Sequence, residues 1–189
     1  MPLPIGHAAI GFATHSFCDG NESSSGRWKV LLGIVILSNL PDVDVVLGIV
    51  LCGNGNVFHR GPTHGLMFAL IGGLLAHGLC RLWSQLPKLR FRICFLLILS
   101  HILADSFLSS SPISFFWPLA VNWTAGHSGL EDVVNRVLFG NYQDGKIIIG
   151  CASLVLLHRT LMALGILSSV QKPKSVFRTG TDSIKRNLQ

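Results

Sequence analysis

Apolar and polar positions fall in long blocks along this chain rather than alternating residue by residue. Residues 5–17 read as a short amphipathic helix. They fall below the roughly 20 residues that cross a bilayer. Residues 19–29 are polar, with Gly20, Gly26 and a serine run, and read as a loop. Residues 30–51 are long enough to span. Asn39-Leu-Pro-Asp-Val-Asp44 interrupts them, and proline breaks helices, so the spacing predicts a helix, a break and a second apolar piece. Residues 53–63 form a Gly/Asn/Pro loop, and 65–83 are a span candidate with His77 inside. A basic turn at 84–92 leads to a second span candidate, 93–108, carrying His101 and Asp105. Residues 109–145 are a polar loop with aromatic residues. Residues 146–170 are a third span candidate, and 171–189 a polar, basic tail.

The pattern predicts an all-α integral membrane bundle with three long spans and shorter, broken helices on the N-terminal side. Residues 1–170 form a single membrane-embedded domain on this reading, and 171–189 a disordered tail. Composition agrees. Charged residues are 13% of the chain, about half of the roughly 25% usual in soluble domains, and mean hydropathy is +0.53. The opening residues lack a positive n-region and contain His7 and His15, so they read as mature structure and not as a signal peptide. The net charge of +6 sits in short clusters between apolar runs, which excludes a nucleic-acid footprint and reads as membrane flanks. Arg27 and Lys29, then Arg81, Lys88, Arg90 and Arg92, then the tail lysines and arginines mark the cytoplasmic side by the positive-inside rule. The loops at 53–64 and 109–145 then face outward. Five cysteines with no C-x-x-C indicate neither a disulfide framework nor a thiolate metal site.

Ionisable residues at membrane depth are costly, so their positions carry information. His7 lies near the start. Asp42 and Asp44 lie in Leu40-Pro-Asp-Val-Asp44, and His59-Arg-Gly-Pro-Thr-His64 opens the next span. His101-Ile-Leu-Ala-Asp105 closes the one after. Under the orientation above, the last three groups meet on the outer side. His101 and Asp105, four apart, share a helix face. Imidazole nitrogens and carboxylate oxygens suit zinc, and also manganese or iron. Each group has a plainer alternative. Asp42 after Pro41 can cap a helix, His101–Asp105 can be a buried hydrogen-bonded pair, and His64 can cap or reach the interface. Arg60 can be a phosphate anchor, a substrate ligand or a solvated charge. His15, His77, His127 and His158 are left out of the cluster. Gly6, Gly11, Gly72 and Gly73 are expected to permit close helix packing.

Pro4-Ile-Gly-His7, Leu40-Pro-Asp-Val-Asp44, His59-Arg-Gly-Pro-Thr-His64 and His101-Ile-Leu-Ala-Asp105 resemble, in this order, the YdjM family of bacterial inner-membrane proteins. That family is described as membrane-bound metal-dependent hydrolases and is distantly similar to zinc-dependent phospholipase C and the P1-type nucleases. The resemblance implies a multi-pass cytoplasmic-membrane protein whose metal ligands come from His7, Asp42, Asp44, His64, His101 and Asp105, with Asp105 as a bridging carboxylate. The N-terminal Trp and the later His/acid pair of the three-zinc enzymes are missing, which implies one or two ions.

The function expected is hydrolysis of a phosphoester or lipid-linked substrate, using a divalent cation, zinc ahead of manganese. Of Asp42 and Asp44, one is a ligand and the other a base or orienter; with Asp44, Arg60 is the expected catalytic residue, neutralising a phosphate. The partners expected are the bilayer and that substrate, with the oligomeric state open. The alternatives are a non-catalytic scaffold or regulator with a structural His/Asp cluster, and a small ion- or proton-coupled transporter. The first would show a closed coordination shell, the second uptake without hydrolysis. Only Glu22 and Glu131 are present, so no H-E-x-x-H zinc-protease helix can be written.

Overall fold

In the computed structural model the described residues are 4–19, 26–108, 112–119, 121 and 143–165. Their regular elements are helical. They are α1 (Pro4–Asp19), α2 (Arg27–Ser38), α3 (Val43–Cys52), α4 (Leu66–Leu82), α5 (Phe91–Leu108) and α6 (Gln143–Ala163), with 3-10 turns at Leu40–Asp42 and Pro62–His64. The chain divides into two compact units, Met1–Val155 and Leu156–Gln189. Every residue of the site described below lies in the first. The tail at 171–189 and His127 lie outside the described residues.

The expectation of three long spans is met in part. Among the described residues, two single helices are long and apolar enough to cross a membrane, Phe91–Leu108 and Asp144–Ala163. Residues 65–83 form only a 17-residue helix, Leu66–Leu82, about 26 Å long against a hydrocarbon core of about 30 Å. Gly65 stays extended (ψ 153°), and so does Trp83 (ψ 110°), which trims the apolar run at both ends. Among the described residues a third candidate appears if the bent pair Arg27–Ser38 and Leu40–Cys52, angled at 54°, counts as one broken span.

The break follows from Pro41, which has no N–H to donate and disfavours a helical Leu40. The Asp42 N–H goes to Asn39 O instead. That leaves the Ser38 carbonyl without its usual i+4 donor. α3 then runs ten residues and stops at Gly53, in the left-handed region (φ 67°). The Gly53 N–H bonds to Ile49 O, the αL form of helix end, and the Asn54 N–H closes back on Gly48 O.

α5 is the central element and packs against α4, α1 and α2. Its Ile93, Leu97, Ile98 and Ile102 are buried with Ile34, Leu37 and Ala69 of the neighbouring helices. Two glycines set the spacing. A Cβ on Gly73 would come within 3.0 Å of the Phe95 backbone, and one on Gly11 within 2.8 Å of Ser38 Cβ and Oγ. α4 thus lies directly on α5, and α1 on the end of α2, as small residues allow. At the opposite end, Lys88 donates to Cys80 O at 2.9 Å and Arg92 to Cys18 O at 3.2 Å. Part of the basic cluster therefore caps the C-termini of α4 and α1.

Candidate metal centre

Ser38, at the end of α2, is fully buried, and its carbonyl, released by the Pro41 break, accepts the His101 Nδ1–H at 2.7 Å. That bond fixes the His101 tautomer. Its Nε2 lone pair then faces away from α2, 3.3 Å from Asp42 Oδ1. A backbone carbonyl on the far nitrogen is the usual support of a metal-binding histidine. Asp42 caps α3 by position, but its side chain makes no cap hydrogen bond. It faces the cluster instead.

Asp105, one turn beyond His101, is fully buried and reaches two sides. Its Oδ1 lies 3.4 Å from His7 Nε2. Its Oδ2 lies 3.4 Å from His64 Nε2 and 3.7 Å from Arg60 Nε. The His7 ring stacks on His101 with centroids 3.7 Å apart. The close seat of Gly11 on Ser38, one turn along α1, brings His7 to this depth.

The turn carrying Arg60 and His64 is held by Asp44. Asp44 Oδ2 accepts from the Arg60 backbone N–H at 3.2 Å and from Thr63 Oγ1 at 2.5 Å. His64 Nδ1 is 3.2 Å from the same oxygen, and His59 Nδ1 is 3.2 Å from Asp44 Oδ1. Both Asp44 oxygens are thus engaged in orienting histidines. Arg60 adopts a left-handed backbone (φ 69°), rare for a long side chain. Its carbonyl accepts from Ser114 N–H at 3.1 Å, and Phe115 O accepts from Leu66 N–H at 2.9 Å, so the 112–119 loop buttresses the turn. Burial disfavours a charged imidazole at His64. The Asp105 and Asp44 carboxylates, 3.4 and 3.2 Å from its ring nitrogens, overcome this and raise its pKa from 6.5 to about 9. The pocket that holds a proton so firmly is built for positive charge.

Two donor sets result, each with its ligand atoms mutually within 4.8 Å: Asp42, His59, His64 and Asp105; and His7, His101 and Asp105. They share Asp105. The structure therefore brings His7, Asp42, His64, His101 and Asp105 together. It places Asp44 behind them and Arg60 beside the shared carboxylate. His59 joins a donor set although sequence reasoning did not single it out. Its spacing of five from His64 fits no helical face, and only the strained turn at Arg60 swings both rings to one side. His77 stands apart and donates to Leu89 O at 2.9 Å.

The buried atoms without a hydrogen-bond partner include both ring nitrogens of His7, Nε2 of His59, His64 and His101, Oδ1 of Asp42 and both oxygens of Asp105. Each such atom costs about 1–3 kcal/mol if left unmet. Together they reach on the order of 10 kcal/mol, comparable with a whole domain's net stability. The His–Asp contacts at 3.3–3.8 Å offset part of this cost, and a cation bound among the same atoms would engage them together. The donor chemistry, imidazole and carboxylate without thiolate, fits zinc or manganese. Asp42 (19% exposed) and Arg60 (10%) form the open edge, while His7, His64 and Asp105 are at 0%.

Comparison with known proteins places the chain in a family. The family model described as YdjM inner membrane protein matches residues 1–173. The inner membrane protein YbcI of Escherichia coli (strain K12) is 35% identical over 124 residues, covering 62% of this chain and 68% of that protein. No solved structure matches the chain. With a family match over residues 1–173 and a 35% identical relative, the chain belongs to the YdjM inner membrane protein family.

Proposed function

We propose that this inner membrane protein is a divalent-metal-dependent hydrolase acting on a phosphoester of a lipid or lipid-linked substrate. The observation that carries the reading is the convergence of unmet buried His and Asp atoms from α1, the 40–42 turn, the 59–64 turn and α5 on one carboxylate, Asp105. A cation held there supplies Lewis acidity and lowers the pKa of water to near neutrality. His59, His64, Asp42 and Asp105 would hold one position, and His7, His101 and Asp105 a second. Asp44 keeps the His59 and His64 rings turned inward. Arg60 offers a fixed positive charge to a phosphate oxygen at the open edge. Under the positive-inside orientation that edge lies toward the outer face, at headgroup depth, where a lipid phosphoester presents itself.

A structural metal in a non-catalytic scaffold is the second reading, favoured by the complete burial of His7, His64, His101 and Asp105. Purified protein separates the two. Hydrolysis of a phosphodiester or phospholipid, lost on chelation and restored by zinc or manganese, supports the enzyme. Stoichiometric metal, depleted by His101→Ala and Asp105→Ala but without hydrolysis across a phospholipid and phosphoester screen, supports the scaffold.

A further inference from the structure

We infer that the site selects a terminal phosphate, a phosphomonoester dianion, over a phosphodiester, and that Arg60 makes the selection. The inference deepens the hydrolase reading and rests on it. Three positive partners surround one carboxylate. Two would be the cations that the two donor sets sharing Asp105 could hold. The third is Arg60, whose Nε lies 3.7 Å from the Asp105 oxygen that also faces His64. Arg60 is not there by loose reach. Its left-handed backbone is clamped at both ends, by Asp44 on its N–H and by Ser114 on its carbonyl. A non-glycine residue held in that region signals a functional constraint.

A terminal phosphate has three non-bridging oxygens, one for each positive partner. A diester has two, so Arg60 would face an esterified oxygen, a poor acceptor. Charge points the same way. Asp42, Asp44 and Asp105 against Arg60 leave the cluster's charged side chains at minus two, and two divalent cations turn this to plus two. A phosphomonoester carries close to two negative charges at neutral pH and balances it; a diester carries one. In the reaction, the water oxygen bonds to phosphorus, the ester P–O bond breaks, and the leaving alcohol oxygen takes a proton from that water. The products are orthophosphate and a free hydroxyl.

The test uses the full chain in lipid nanodiscs at saturating zinc. Calorimetric titration should show orthophosphate binding at least about tenfold more tightly than dimethyl phosphate. Arg60→Gln should erase that difference with bound zinc unchanged, and Arg60→Lys, which keeps the charge without the fork, should restore part of it. Equal binding of the two anions by the parent, or an unaltered preference in Arg60→Gln, overturns the inference. Phosphatidate in vesicles, glycerol 3-phosphate in solution and phosphatidylglycerol in vesicles extend the test to turnover. Preferred cleavage of either monoester supports it, and the faster of the two tells whether the phosphate arrives on a lipid or free. Preferred cleavage of phosphatidylglycerol overturns the selection while the hydrolase reading stands. No bound zinc and no turnover of any of the three overturns both.

Discussion

Asp105→Asn is the sharpest perturbation, because one nearly isosteric change touches both donor sets. The amide keeps the shape but loses the charge and one acceptor oxygen. A unit charge at 3.4 Å, the distance from Asp105 to His7 Nε2 and to His64 Nε2, is worth about 5 kcal/mol at an effective dielectric of about 20. A tenfold change in affinity is about 1.4 kcal/mol. Even if relaxation recovers nearly half, zinc affinity should fall by about a hundredfold. Thermal unfolding with and without zinc reads this directly. At a thousand times its Kd, zinc adds about 4 kcal/mol to the parent; a hundredfold weaker variant gains about 1.4 kcal/mol at the same concentration. For a chain of this length that difference is roughly 5–10 °C in Tm. If Asp105 and His7 were only a hydrogen-bonded pair, the variant would lose stability equally with zinc and with chelator. A variant that zinc stabilises as much as the parent, with full metal content, refutes the reasoning.

Other consequences are separable. Asp44→Asn should weaken zinc about 10–100-fold without lowering the saturating stoichiometry, since Asp44 orients His59 and His64; competition with a graded chelator measures it. Gly11→Ala should lower metal content, because its Cβ would meet Ser38 at 2.8 Å and lift His7 from the cluster; metal analysis of the folded variant checks it. The His64 pKa of about 9 gives opposite pH slopes. A pKa raised on folding stabilises fully below the unfolded value near 6.5 and loses that contribution as pH rises through 9, so metal-free Tm should fall across this window, by the equivalent of roughly 3 kcal/mol. Zinc competes with the same proton, so its affinity should rise over the same range. Calorimetry at pH 6.5 to 9, with zinc or with chelator, distinguishes the two slopes.

Much of the cluster is legible before any fold is known. Proline in Leu40-Pro-Asp-Val-Asp44 announces the helix break, and the i, i+4 spacing of His101 and Asp105 puts both on one face of α5. The basic clusters place these groups at the ends of α2, α4 and α5 away from Arg27, Arg81 and Arg92. What is not legible depends on tertiary contact. The Ser38 carbonyl becomes an acceptor only because Pro41 disrupts the ladder and α5 passes beside it. The division of labour between Asp42 and Asp44 follows from which carboxylate the 59–64 turn closes over. His59 enters through the left-handed Arg60, a conformation that no periodicity reveals. The ends of α4 are not legible for a related reason. Hydropathy does not register that Gly65 stays extended while Leu66 N–H bonds to the Phe115 carbonyl.

The claim that His and Asp groups from separate elements surround cations is tested most directly by metal stoichiometry with X-ray absorption on the purified protein in nanodiscs. The arrangement predicts about two divalent ions per chain, with imidazole and carboxylate ligands and no sulfur. A folded protein that holds no ion, or one bound through cysteine sulfur, would contradict it.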